Sequence, residues 1–203
     1  SECQGRTIVV VGVGHIGYEI CRLGRALEMQ VYGVDLERNY PDVEYLNPEE
    51  AFPRADVVVC AMNLTTSNRG YFDLPTLRQF KPGAVFVNIS RGELSPPTAL
   101  LETLTAGHLG GVALDVLDHE PQLATSLRSQ TPSADPEVLA TIALAARDYC
   151  LCTPHNAFHS VVAGFQSPGQ DIVVVGGDHQ PIDGKAHALG RITRKDVAEI
   201  ARG

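Results

Sequence analysis

"VVVGVGHIGYEI", residues 9–20, is the stretch that decides the fold. A β-branched apolar run ends in Gly12, Gly14 and Gly17, and an apolar-periodic segment follows. A G-x-G-x-x-G triplet by itself is a weak signal, because glycines and turns are common. Here the context agrees on three counts. The glycines follow a predicted strand over 7–11, they open a predicted helix over 16–27, and Asp35 ends the next predicted strand, 18 residues beyond Gly17. Gly12 permits the tight turn, Gly14 lets backbone approach a diphosphate, and Gly17 lets helix and strand pack closely. The amides of His15 and Ile16 then face a phosphate from a helix N-terminus, where the dipole also favours an anion. Asp35 would accept from both ribose hydroxyls and repel a 2′-phosphate, which favours NAD over NADP. Taken alone it is a solvated loop carboxylate, and Arg38 nearby keeps NADP open. The His15 side chain reads as solvent-facing, with no catalytic role.

Outward from this stretch the pattern repeats. Short apolar runs at 30–34, 56–60, 84–88, 110–114 and 149–152 read as strands. Helices are expected at 73–80, stopped by Lys81-Pro82-Gly83, at 97–106 and at 138–147. Strands alternating with helices predict an α/β fold with a Rossmann-type, doubly wound parallel sheet. The stretch 122–137 is polar with two prolines and reads as a loop or insertion. Ile20, Leu23 and Leu27 fall on one stripe of the first helix. Residues 1–160 are expected to form the dinucleotide-binding domain. Residues 161–203 form an atypical tail, with a turn cluster at 167–170, a strand-like run at 172–175, a loop at 176–185 and a short helix at 193–201 opened by Thr193 and Asp196.

Composition narrows the function classes. The chain has 203 residues, 44% of them hydrophobic, and a formal net charge of −8. No Lys/Arg stripe points to nucleic acid, and no apolar run approaches the ~20 residues that span a bilayer. The sequence opens without Met or a signal peptide and enters a strand within a few residues, which suggests a fragment or processed chain. Cys3, Cys21, Cys60, Cys150 and Cys152 make an odd set with no C-x-x-C pair, which fits a reducing compartment, the cytoplasm. Cys150-x-Cys152 reads as part of a strand, with a metal or redox role the lesser alternative. No His/Cys/Asp set has metal-ligand spacing. His108, His119 and His159 read as surface histidines.

Three further stretches follow predicted strands: "VFVNISRGELS" (85–95), "GGVALDVLDHEP" (110–121) and "CTPHNAF" (152–158). In doubly wound sheets, ligands bind outside the carboxyl ends of strands, so all three would border the cofactor crevice. With the glycine motif, these residues resemble the D-isomer-specific 2-hydroxyacid dehydrogenases over about residues 5–158. The resemblance implies a working set of Arg91 in N-x-x-R-G, Glu120 five residues after the aspartate of L-D-V, and His155 of T-P-H. It also implies that "CAMNLTTSNRGYF" (60–72) is the loop under the nicotinamide ribose, although Asn63 stands where the family usually has proline. Cofactor contacts from Ala61, Met62, Thr65, Ile89, Ser90, Arg91, Asp115 and His155 follow, beside those of Gly12, Gly14, His15, Ile16, Gly17 and Asp35.

The chemistry agrees with these residue types. Oxidation of a 2-hydroxy acid by NAD needs a base at the hydroxyl, and His titrates in the right range. His155 is that base, and an acid in the reverse direction. Glu120 would hold the other ring nitrogen and stabilise the imidazolium. Arg91 offers a planar fork to the substrate carboxylate, and Asp115 would hold the carboxamide end of the nicotinamide. Singly, Arg91 reads as a surface cation, Glu120 as a loop residue and His155 as a turn histidine. At successive strand ends beside a glycine cradle, the joint reading is catalytic.

The resemblance further implies a substrate lobe built from sequence on both sides of this domain, which would be largely absent from the chain. It implies a homodimer made through the helix after the glycines and the segments near "RGYF". The expected function is interconversion of a D-2-hydroxy acid and a 2-oxo acid, with pyruvate, phosphohydroxypyruvate, glyoxylate and branched 2-oxo acids all open. The rival readings are a non-catalytic, NAD-binding corepressor-like interaction protein and an inactive fragment. Neither nucleic acid nor membrane is an expected partner.

Overall fold

A computed structural model describes residues 2–129, 131 and 133–153. The readings of the tail, and His155 and His159 with them, lie outside the described residues. Seven parallel strands form one sheet in the order β3-β2-β1-β4-β5-β6-β7. They are β1 (Thr7–Val11), β2 (Gln30–Val34), β3 (Glu44–Tyr45), β4 (Val57–Cys60), β5 (Ala84–Asn88), β6 (Leu109–Leu114) and β7 (Cys150–Cys152). The helices are α1 (His15–Ala26), α2 (Pro48–Ala51), α3 (Leu74–Leu77), α4 (Pro97–Thr105), α5 (Glu120–Ser129) and α6 (Pro136–Ala145). The order reverses between β1 and β4, so the doubly wound sheet has its switch point there.

All five residues of β1 are buried, as a strand covered on both faces requires. Val9 and Val11 join a core with Phe52, Phe72, Phe80 and Phe86, whereas Ile8 and Val10 join one with Val13, Cys21, Val43 and Val59. Four phenylalanines thus anchor one face, with the Phe72 and Phe86 rings 4.7 Å apart. Helix α1 supplies the other face through Gly17, Cys21 and Gly24.

This corrects the expected stripe. Leu23 and Leu27 point to solvent, and Ile20 is only half-buried. The helix instead presents its small residues to the sheet. A Cβ on Gly24 would lie 3.0 Å from side-chain carbons of both Ile8 and Val31, so contact this close admits no larger face.

Two smaller expectations also change. The stretch read as loop at 122–137 contains α5, because Leu123 and Leu127, one turn apart, bury against Val138 and Ile142 of α6. Helix α3 is one turn, not the expected 73–80. Asp73 caps it by accepting from the Thr76 amide at 2.9 Å, and the chain then tightens so that Phe80 can enter the core. Strand β3 and helix α2 are too short to show a period in sequence.

The amino end of the sheet is tied by Asp56. Its carboxylate accepts from the Thr7 amide at 2.9 Å and from Lys81 Nζ at 2.7 Å, with Arg6 at 3.6 Å. The Lys81 bond above all, with the Thr7 amide, holds the Asp56 carboxyl below the usual carboxylate range. A group with a depressed folded-state pKa stabilises fully above its unfolded value of about 3.9, and loses that contribution as pH falls through the folded value. Asp56→Asn is therefore expected to lower unfolding free energy by about 1–3 kcal/mol at pH 7. In urea titrations the gap to the parent should narrow as pH drops below that unfolded value. A gap unchanged by pH would remove the charge from the account.

Candidate functional site

Five strands, β1, β4, β5, β6 and β7, each deliver one residue beyond their end, and that residue still bonds to the neighbouring strand. Gly12 N–H donates to Val34 O at 2.9 Å and Ala61 N–H to Val11 O at 2.8 Å. Ile89 N–H donates to Cys60 O at 3.3 Å, Asp115 N–H to Asn88 O at 2.9 Å and Thr153 N–H to Leu114 O at 2.9 Å. The carboxyl rim is thus one continuous shelf, with the glycine turn over the switch point.

The glycines earn their places by distance. Gly12 has φ +90°, the left-handed region, and a Cβ there would stand 2.4 Å from the Met62 backbone. A Cβ on Gly17 would lie 2.0 Å from Gly12 O. A Cβ on Gly14 would meet nothing within 4 Å, so the turn opens outward there. Gly14 caps α1 without a side-chain bond, which leaves the amides of the first turn to face an incoming acceptor. His15 and Ile16 are exposed at this end. Asp35 is not a solvated loop carboxylate. Its Oδ2 accepts from the Val13 amide at 2.6 Å and its Oδ1 from the Glu37 amide at 3.2 Å, which fixes it beside the turn. Arg38 lies over the Tyr45 ring, 5.9 Å from its centroid. An open, amide-lined turn beside a fixed carboxylate fits a dinucleotide diphosphate and its ribose.

Across the switch point, Ser90 Oγ donates to Met62 O, joining the two loops that flank the crevice. Asn68 shapes the first loop, accepting from the Thr65 amide at 2.7 Å and donating to Asn63 O at 2.8 Å. Asn88, fully buried, shapes the second. Its Nδ2 donates to Arg91 O at 2.9 Å and Ser95 Oγ at 2.8 Å, and its Oδ1 accepts from the Ser90 amide at 2.9 Å. Arg91 itself is exposed, with Nη1 donating to Ser90 O at 2.8 Å. Asp115 accepts from the Thr153 hydroxyl. The Cys60 thiol, buried beneath this rim, is pushed up to about 12 by burial, so it packs and does not act as a nucleophile at neutral pH.

Glu120 opens α5 and is exposed, with Oε1 accepting from the Leu117 amide at 3.3 Å. A Cβ on Gly92 would lie 2.1 Å from the Leu117 carbonyl carbon, so the loops carrying Arg91 and Glu120 touch backbone to backbone. Two histidines read as surface groups are half-buried. His119 takes φ +55° and bonds Asp135 through Nδ1 at 2.7 Å, which ties this loop to the cap of α6. His108 Nε2 is buried with no hydrogen-bond partner among the described residues. Sequence reasoning passed over Asn68, and assigned no role to Asn88 and Gly92 although both stand in the N-x-x-R-G motif. An amide ending an apolar strand and a glycine directly after the arginine were the available signals.

The sequence profile of the D-isomer specific 2-hydroxyacid dehydrogenase NAD binding domain matches residues 1–157. D-lactate dehydrogenase of Streptococcus agalactiae is 33% identical over 159 residues, 76% of this chain and 47% of its own length. D-3-phosphoglycerate dehydrogenase of Bacillus subtilis is 35% identical over 132 residues, 63% of this chain and 25% of its own. The NAD-complexed D-isomer specific 2-hydroxyacid dehydrogenase of Lactobacillus delbrueckii ssp. bulgaricus superposes with a TM-score of 0.69 at 28% identity, over 79% of this chain and 50% of that one. The chain spans about half the length, or less, of these relatives.

Proposed function

This chain belongs to the D-isomer specific 2-hydroxyacid dehydrogenase family through its NAD-binding domain, and from that premise we propose that it carries the cofactor half of an enzyme interconverting a D-2-hydroxy acid and a 2-oxo acid. One observation carries the reading: the glycine turn, Asp35, the Ser90–Arg91 loop and Asp115 all lie along the carboxyl rim, from β2 across the switch point to β6. Bound NAD supplies a hydride acceptor for the carbinol carbon. The chain's own residues do the rest. The first-turn amides of α1 receive the diphosphate, and Asp35 receives ribose hydroxyls. Ala61, Met62, Thr65, Ile89 and Ser90 border the cofactor, with Asp115 at its carboxamide end. Arg91 grips the substrate carboxylate with two parallel N–H donors. His155 takes the hydroxyl proton, and Glu120 orients its ring.

NAD and NADP titrations followed by thermal shift test the cradle. NAD should raise the melting temperature, since a ligand that binds only the native state stabilises it. Failure of both cofactors to move the melt would overturn the reading. Asp35→Ala should weaken NAD and narrow its margin over NADP, and unchanged affinity for both would take Asp35 out of the ribose site.

Two copies are proposed to pair across the outer face of α1. Ile16 is 62% exposed and Leu23 63%, and this apolar face adjoins the cofactor turn. Leu23→Glu should convert a dimer to monomer in sedimentation velocity, and an unchanged sedimentation coefficient would move the interface elsewhere. Among the described residues no helix is long and apolar enough to cross a membrane. A reducing compartment, the cytoplasm, suits five free thiols.

A further inference from the structure

Strand β7 places two cysteines on one face, because side chains at i and i+2 of a strand point the same way. The Cys150 and Cys152 sulfurs stand 3.9 Å apart, while Leu151 between them is 61% exposed on the opposite face. Both cysteines pack against the main core, but among the described residues β7 is the outermost strand, with only β6 beside it. The other thiols differ. Cys21 and Cys60 are fully buried inside the sheet layers. Cys3 lies near the amino terminus, with no cysteine close in sequence.

We propose that Cys150 and Cys152 form a thiol–disulfide switch that unlatches the Asp115 end of the cofactor rim. The link to the cofactor rests on the function proposed above; the disulfide itself does not. The oxidant is a low-molecular-weight disulfide such as oxidised glutathione. One thiolate attacks it, forming a mixed disulfide and releasing one glutathione thiolate. The second cysteine, losing its proton, then displaces the other glutathione. Two thiols become one disulfide, and one glutathione disulfide becomes two thiols.

Geometry makes the product strained. Residues two apart in a strand stand roughly 6.6 Å apart at Cα, whereas a disulfide spans about 4.4–6.8 Å with sulfurs at about 2.05 Å. That spacing sits at the long end of the range, whose mode is about 5.5–6 Å, so closing the sulfurs from 3.9 Å draws β7 shorter. The shortened strand cannot keep its register of Cys150, Leu151 and Cys152 against Val112, Ala113 and Leu114. The next residue is Thr153, whose amide bonds Leu114 O and whose hydroxyl bonds Asp115. Oxidation therefore draws Thr153 away from Asp115. A strained disulfide is also readily reduced, as a reversible switch needs.

The test uses the whole chain, treated with oxidised glutathione, then denatured, alkylated and digested with trypsin. Cleavage after Arg147 and Lys185 leaves Cys150 and Cys152 as the only cysteines of one peptide. That peptide should carry no alkyl group and be lighter by two hydrogens. Cys150→Ser and Cys152→Ser should each keep a glutathione adduct or a free thiol at the remaining cysteine. The oxidised parent should melt lower than the reduced chain and lose the shift produced by NAD, with dithiothreitol restoring both. Full alkylation of both cysteines would overturn the proposal, as would a mapped disulfide that leaves the melt and the NAD shift unchanged. If reduced chain shows no NAD shift, the function reading fails, while the peptide and the cofactor-free melt still decide whether the pair oxidises and disturbs β7.

Discussion

Gly17→Ala is expected to abolish the stabilisation that NAD confers and to lower the melting temperature in its absence. The added Cβ lands 2.0 Å from Gly12 O and 3.0 Å from Gly12 C, and neither backbone atom can rotate away. Helix α1 must retreat from β1, at a cost of about 1–3 kcal/mol for overpacking. At roughly 2–4 °C for each kcal/mol in a chain of this size, that shift is easily read. The retreat also carries the amides of His15 and Ile16 away from the proposed diphosphate position. Gly14→Ala separates the two effects. Its Cβ meets nothing beyond its chain neighbours within 4 Å among the described residues, so the melt should stand while the NAD response falls. A Gly17→Ala chain with parental melt and parental NAD shift would show that close packing of the helix is not what forms the cradle.

The second large effect concerns proton transfer. In an enzyme carrying this domain, His155→Ala is expected to slow reduction of a 2-oxo acid by about 10²–10⁴-fold, the usual loss when a general acid–base is removed. NAD binding should change far less, because the proposed diphosphate and ribose contacts are those of other residues. Comparing kcat with cofactor affinity therefore distinguishes loss of the proton donor from collapse of the site. Near-parental turnover would take the role from His155.

Much of the fold was legible because parallel strands covered on both faces read as continuous apolar runs. TIVVV and AVFVN coincide with β1 and β5 for this reason. The face of α1 was misread because apolar periodicity favours leucines, whereas the close contact with β1 selects Gly17, Cys21 and Gly24. The α5 helix was hidden because its two core leucines sit among polar residues and become apolar partners only once α6 folds against them. At the candidate site, the proposed reactive side chains were singled out by residue type and motif. The residues that hold loops in place did not. Asn88 and Asn68 act through several hydrogen bonds each, and Gly92 through a missing Cβ, and nothing in a one-dimensional pattern measures those.

The shelf of ladder bonds running from Gly12 through Ala61, Ile89 and Asp115 to Thr153 has a thermodynamic consequence. These positions inherit the rigidity of the sheet, so their amides should exchange with solvent as slowly as those of the strands behind them. A ligand settling on the shelf freezes little backbone motion that the chain had not already given up. Its affinity then reports direct contacts more than induced order. In calorimetry, the association should carry a small conformational entropy penalty, with heat capacity change scaling with the apolar area covered.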